Sequence, residues 1–215
     1  MKTIYCISGL GADERAFSKL KVDGYEIRCL PWLTPEPGEN IDAYAARMRA
    51  GINEENPILC GLSFGGMISI EISKQIPVDK LILISSIKSI RELPRWMRTC
   101  GLLRLNRLFP MRSFKLMEPI QNRNLGITTP EEIELVRSYR RNAPQAYMDW
   151  AINQVLNWRN DWSPTKVYHV HGDADRLFPI RKIVPTHIIK GGGHFMIMNR
   201  AEEVSDVLNK ILNTR

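Results

Sequence analysis

The sequence predicts an α/β fold, a three-layer αβα sandwich built on a mostly parallel sheet of about six strands. Two patterns predict it first. Short apolar runs recur at residues 4–8, 25–30, 57–61, 81–85, 167–171 and 186–190, and helical patterns lie between them at 41–51, 64–75 and 199–213. Such alternation makes consecutive strands parallel and puts the connecting helices on both faces of the sheet. A third observation is the junction Gly61-Leu62-Ser63-Phe64-Gly65-Gly66, a G-x-S-x-G sequence directly after an apolar run. This is the pattern of a sharp strand-to-helix turn that holds a serine hydroxyl out of the sheet.

Taken in order, the first run, Ile4-Tyr5-Cys6-Ile7-Ser8, starts the fold at once, because the residues before it are too few and too little apolar for a secretory leader. It leads into the glycine-rich loop Ser8-Gly9-Leu10-Gly11-Ala12-Asp13. As a phosphate loop this fails, since no G-K-[ST] follows and the G-x-G-x-x-G spacing is absent. The run at 57–61 feeds Ser63, whose plainer use is as a cap on the following helix. In that helix Met67, Ile68, Ile70, Ile72 and Ile76 point in several directions, and a helix apolar most of the way round is buried.

After residue 85 the rhythm breaks. Residues 87–145 contain no convincing strand and read as a helical cap inserted between two sheet strands, within a single domain spanning 1–215. Thr129-Pro130-Glu131-Glu132 is a helix start, with proline at the first helical position and acids in the first turn. The sheet resumes at 167–171. The last strand ends in Gly191-Gly192-Gly193-His194-Phe195, ahead of a final helix expected to be capped by Asn199 with Glu202 completing a capping box. Val204, Val207, Leu208, Ile211 and Leu212 share one face of that helix.

The chain of 215 residues carries 30 Lys and Arg against 23 Asp and Glu, a net charge of +7. Residues 87–145 hold twelve of the basic residues and five of the acidic ones, so the whole imbalance falls on the insertion. Arg91, Arg95 and Arg98 recur on one helical face, with Leu93, Trp96, Met97 and Cys100 on another, a basic amphipathic helix in which Trp96 is a candidate substrate contact. This face is either simply solvated, an attractor for an anionic substrate, or a membrane-surface contact. The solvated reading is favoured. Nucleic acid is excluded as a partner, because the basic residues alternate with bulky aliphatics and no recognised motif is present.

The four cysteines form no C-x-x-C and no histidine pair has zinc-ligand spacing, so neither a disulfide framework nor a metal site is expected, and no cofactor is implied. Buried free thiols suit a reducing compartment, which makes the cytoplasm the expected location. No run approaches the roughly 20 apolar residues of a membrane-spanning helix.

A serine hydroxyl is a poor nucleophile unless a base stands within hydrogen-bond reach and an acid orients that base. Of the four histidines, His169, His171 and His187 fall in or at the ends of strands, with His171 shaping the acid-bearing loop. His194 follows a glycine run that lets its ring reach into a site. The acid belongs on a loop at the carboxyl edge of the sheet, where His171-Gly172-Asp173-Ala174-Asp175 supplies two candidates that spacing alone does not separate. Donors for an oxyanion are expected at the backbone N–H of Phe64, which opens a helix, and of Leu10 in the loop after the first strand.

Ser8-Gly9-Leu10-Gly11, the Ser63 motif, His171-Gly172-Asp173-Ala174-Asp175 and Gly192-Gly193-His194-Phe195 stand in the chain order Ser, Asp, His, and over nearly the full length the chain resembles the α/β-hydrolase superfamily. The resemblance implies Ser63, Asp175 and His194 as the triad, because the family pattern H-G-x-x-D falls on Asp175. It also implies a helical cap at the position of the insertion. The chain departs from the family in beginning at what would be its third strand, which bears on edge protection and dimerisation, and in reading Ser-Gly where many relatives have His-Gly. The function implied is a serine hydrolase cleaving a small ester or thioester through an acyl-enzyme; the basic insertion, if it attracts substrate, would favour an anionic one. The same triad resembles those of carbon–carbon hydrolases, acyltransferases and some lyases, and a binding protein on this scaffold is the remaining alternative. Dehalogenase-like chemistry is disfavoured, since that family has aspartate where Ser63 stands.

Overall fold

Strands buried on both faces read as continuous apolar runs, whereas an edge strand alternates. A computed structural model, which describes residues 2–104, 117–162 and 166–214, follows that rule. Strands β1 (Lys2–Ile7), β3 (Ile58–Leu62) and β4 (Lys80–Ile84) are almost wholly buried, and β2 (Tyr25–Cys29) alternates between half-buried and exposed. With β5 (Val167–Gly172) and β6 (His187–Ile189) they form one six-stranded sheet in the order β2-β1-β3-β4-β5-β6. All five pairings are parallel.

The chain leaves β1 in one direction to form β2 and returns on the other side to form β3. Open α/β sheets place ligands at such a reversal, at the carboxyl ends of the strands. The loops after β1 and β3, which carry Leu10 and Ser63, flank it.

Helices cover both faces. On one lie α1 (Ile41–Arg49) and α2 (Phe64–Ser73), packed with Tyr5, Ile7, Leu59, Leu81 and Leu83. Every residue of α2 is buried, as its all-round apolar surface requires. Its two serines turn their hydroxyls back to carbonyls of their own helix, Ser69 to Gly65 O and Ser73 to Ile70 O, both at 2.8 Å. On the opposite face Ile4, Cys6, Ile82, Ile84 and Val170 meet Val204, Leu208, Ile211 and Leu212. Truncating one such buried Ile or Leu to Ala costs about 2–5 kcal/mol.

The described part of the segment between β4 and β5 is helical: α3 (Arg95–Leu102), α4 (Glu118–Leu125), α5 (Pro130–Asn142) and α6 (Gln145–Asn157). The start of α5 is the expected one, with a capping box between Thr129 and Glu132. The helical segment runs on past residue 145, and α6 enters the main core through Tyr147, Met148 and Ala151. The basic residues Arg107, Arg112 and Lys115 lie outside the described residues.

After β6 come a short helix α7 (Met196–Asn199) and the long helix α8 (Ala201–Asn213). The expected cap at Asn199 is not formed. The long helix begins two residues later, with Arg200 at its cap position, and the Asn199 amide donates to Gly126 O at 2.9 Å. All four cysteines are free thiols. Among the described residues no helix is long and apolar enough to cross a membrane.

Candidate active site

The turn after β3 is sterically exacting. Ser63 has φ 52 and ψ −116, a left-handed conformation that a non-glycine residue rarely adopts and that costs about 1–3 kcal/mol. Surrounding bonds hold it there. The Ser63 N–H donates to Ile84 O at 2.9 Å, and Ser63 O accepts from Gly66 N at 3.0 Å and from the Ser86 hydroxyl at 2.6 Å. A Cβ on Gly61 would overlap Gly66, and one on Gly65 would overlap the Ile7 and Ser8 carbonyls. The two glycines of the motif therefore let the chain double back against β1. The Ser63 side chain makes no capping bond to α2, so the plainer use of this serine does not apply.

The Ser63 hydroxyl meets His194 Nε2 at 2.9 Å, and His194 Nδ1 lies 2.8 Å from Asp175 Oδ2. With Nδ1–H donated to the carboxylate, a neutral ring leaves Nε2 bare to accept the serine proton. The other Asp175 oxygen accepts the Leu177 and Phe178 N–H groups, each at 2.8 Å. Burial pushes the Asp175 carboxyl up. The charge of His194, the bond it donates, the Phe178 N–H and the charge of His171 together outweigh burial and hold it below its ordinary value.

The competing acid has a different partner. Asp173 Oδ1 accepts the Gly191 N–H at 2.6 Å, tying the acid-bearing loop to the glycine run before His194. The competing histidines are also accounted for. His171 Nε2 lies 2.8 Å from Phe178 O, which can only accept, so this nitrogen carries the proton; it also sits 3.5 Å from Asp175 Oδ2. Burial lowers the His171 pKa, and burial with the neighbouring His171 lowers that of His169 to about 3. His187, on the edge strand, pairs with Thr186 Oγ1 at 2.9 Å.

The loop after β1 lies against the nucleophile: a Cβ on Gly9 would stand 3.6 Å from Ser63 Cβ. Ala12 pins this loop. Its N–H donates to Gly9 O at 2.9 Å, and its carbonyl accepts the Ser8 hydroxyl at 2.7 Å and the Trp32 indole N–H at 3.0 Å. Among the described residues, neither the Leu10 nor the Phe64 N–H has a protein acceptor. Sequence reasoning missed Trp32. Its ring stacks on Phe64 at 5.4 Å and meets Tyr147 in a tilted contact at 5.2 Å, so one side chain braces both donor-bearing segments and α6. Its position just past an apolar run, after Pro31, was the available signal. Beside this loop opens a cavity of about 640 Å³ lined by Gly11, Trp32, Leu33, Ala143 and Tyr147 among others.

Trp96 is not brought to the triad by any described contact. It stands 60 % exposed on α3, while Met97 and Gly101 of that helix face inward. The reason is register: α3 lies so close to α6 that a Cβ on Gly101 would meet Leu156 O, and the residue one step round from Met97 is turned to solvent. Arg95 and Arg98 are exposed on α3, as the amphipathic pattern expected, whereas Arg91, also exposed, lies in a turn before the helix, which starts only after Pro94. Among the described residues no group of three His, Cys, Asp or Glu side chains is placed to hold a metal ion.

No curated protein matches the sequence. Solved structures do, at low identity. A thermophilic esterase from Thermogutta terrifontis superposes with a TM-score of 0.73 at 18% identity over 99% of this chain and 89% of that one. A bromoperoxidase from Bacillus anthracis gives 0.75 at 15% over 99% and 92%. The 2-hydroxy-6-oxo-6-phenylhexa-2,4-dienoate hydrolase of Rhodococcus sp. strain RHA1 gives 0.71 at 15% over 99% and 91%. These likenesses establish the fold. The model of the alpha/beta hydrolase family matches residues 7–207, a span that includes Ser63, Asp175 and His194, and the chain belongs to that family.

Proposed function

We propose that this hydrolase cleaves a small ester or thioester through Ser63, His194 and Asp175. The observation that carries the reading is the unbroken hydrogen-bonded chain from Ser63 Oγ through His194 to Asp175, at 2.9 and 2.8 Å. In this reaction Ser63 Oγ attacks the acyl carbonyl while His194 Nε2 takes its proton. Asp175 holds the ring in the tautomer that makes this possible and stabilises the imidazolium. The Leu10 and Phe64 N–H groups donate to the oxyanion, a role in which one donor is worth about 10²–10³ in rate. Collapse of the tetrahedral intermediate expels the alcohol or thiol, protonated by His194. Water, deprotonated by the same ring, then releases the acid and restores the Ser63 hydroxyl.

In this reading the helices between β4 and β5 form the cap over the site, and their basic surplus favours an acyl substrate that carries negative charge. The free thiols of Cys6 and Cys60 in the sheet suit the reducing cytoplasm.

The test is covalent labelling. A fluorophosphonate should add once to the wild type, as read by intact mass, and Ser63→Ala should take up none. A wild type that stays unlabelled under mild conditions, or an adduct that persists in Ser63→Ala, overturns the assignment. A screen over acyl-CoA thioesters, aryl esters and lipid esters then identifies the acyl group.

A further inference from the structure

A second cavity, of about 770 Å³, opens on the outer side of the loops that carry the acid and the base. Among the described residues four arginines line it: Arg123 at the end of α4, Arg137 on α5, Arg176 in the acid-bearing loop and Arg200 before α8. The lining contains one carboxylate, Glu118, which Arg137 engages through Nε at 2.8 Å. Arg200 is held by Glu203 at 3.0 Å and by Lys190 O at 2.9 Å. Arg123 and Arg176 have no carboxylate within ion-pair distance among the described residues, although the Arg176 guanidinium reaches Arg123 O at 3.5 Å. Two unneutralised guanidiniums are thus gathered at one concave surface, with two partly neutralised ones beside them. An anion bound in the cleft can be shared between guanidiniums from separate chain segments.

We propose that this cleft is a binding site for the phosphate group of a small molecule. A guanidinium presents a rigid fork of donors that matches phosphate oxygens in pairs, and a dianion can satisfy two such forks at once. The site is concave and built from four separate chain segments, which suits a small ligand. Arg123 and Arg137 belong to the helical insertion, and Arg176 and Arg200 to the main body, so a phosphate held here joins the two.

The cleft also touches the catalytic loops. Arg176 follows Asp175, and Gly193, part of the lining, precedes His194. The Phe195 N–H donates to Leu125 O at 2.8 Å, fastening the base-bearing loop to the end of α4 beside Arg123. The phosphate has two possible sources, the acyl substrate itself or a separate ligand. Binding is independent of the hydrolase reading, and only the kinetic arm below rests on it.

The probe is inorganic pyrophosphate, titrated into the full chain by calorimetry against sodium chloride of matched ionic strength. One saturable site is expected, and Arg123→Gln with Arg176→Gln weakens it at least about tenfold. Arg91→Gln with Arg98→Gln removes the same charge from the exposed basic segment at α3 and leaves binding within about twofold. Absence of saturable binding to the wild type, or equal weakening by the two double variants, overturns the proposal. All four positions are exposed, and a melting curve confirms that each variant folds. In the kinetic arm, pyrophosphate is added to wild-type hydrolysis of a chromogenic aryl ester. A raised KM at constant kcat assigns the cleft to the substrate's own phosphate, and a changed kcat assigns it to a separate ligand. If fluorophosphonate labelling fails, the hydrolase reading falls while the calorimetric result still decides the site.

Discussion

Replacing Asp175 by asparagine tests the triad at the point where its geometry is most tightly determined. One carboxylate oxygen accepts two backbone N–H groups at 2.8 Å, and the other accepts His194 Nδ1. An asparagine must leave its carbonyl oxygen with the two N–H donors. The reverse orientation would set an amide NH2 against both, and each buried donor left unpaired costs about 1–3 kcal/mol. The NH2 then faces His194, which can only receive it by presenting a bare Nδ1. The ring proton moves to Nε2 and points at the Ser63 hydroxyl, so the base is blocked although nothing has moved. In the serine-protease triad the same exchange lowers kcat about 10⁴-fold, which is about 5 kcal/mol of transition-state stabilisation. The same loss is expected in hydrolysis of an aryl ester and in the rate of fluorophosphonate labelling. Asp173→Asn keeps an oxygen for the Gly191 N–H and should change both rates by less than about threefold. Melting curves establish that both variants are folded. A larger loss in Asp173→Asn, or retention of more than about a tenth of the wild-type rate by Asp175→Asn, refutes the reasoning.

Two further outcomes follow from the residues around the triad. Gly65→Ala puts a methyl group into the Ile7 and Ser8 carbonyls, so the turn cannot close, and the variant should be insoluble or lose several degrees of melting temperature together with all labelling. Buried His169, with its pKa lowered to about 3, makes stability depend on acid. Below about pH 6.5 the unfolded ring takes up a proton that the folded ring refuses. Stability is therefore complete above that pH and falls on acidification towards pH 3, by on the order of 1 kcal/mol per pH unit. Urea titrations from pH 7 to 4 should show this slope, and His169→Leu should flatten it; an unchanged slope would assign it to other groups, His171 first among them.

Much of this was legible in the sequence, for identifiable physical reasons. The inner strands are apolar runs whose burial leaves a nearly continuous pattern, the edge strands β2 and β6 are partly exposed, and the structure moves the ends of all six by one or two residues. The proposed triad was legible because each of Ser63, Asp175 and His194 follows a strand at the carboxyl edge, where chain order alone restricts the choice. Choosing Asp175 over Asp173 needed the family pattern, since two acids on one loop differ only in which backbone groups they meet. Helix α6 was missed: its aromatic and amide residues give a weak period, and its helical face is fixed by packing against Tyr44 and Phe64. The cap at Asn199 failed because the short helix α7 intervenes and a tertiary acceptor, Gly126 O, claims the amide. Trp96 was assigned to an apolar face that in fact centres on Met97 and Gly101.

Part of the surplus charge and the candidate site, separate in the sequence, are adjacent in the fold: Arg123 and Arg137 share a cleft with Ala174 and Gly193, next to Asp175 and His194. The parallel sheet collects the loops after β1, β3, β5 and β6 at one edge, which assembles the serine, its acid, its base and two candidate donors. The insertion reaches that edge through hydrogen bonds from Phe195 N to Leu125 O and from Asn199 Nδ2 to Gly126 O. Whatever moves α4 therefore pulls on the loop that holds His194, and a shift of about 1 Å in a catalytic group is enough to cost about a hundredfold in rate. An anion bridging Arg123 and Arg176 would act along that same connection. In the proposed mechanism the insertion would then do more than attract a charged substrate: the segment proposed to bind the anion is the one hydrogen-bonded to the loop that holds His194.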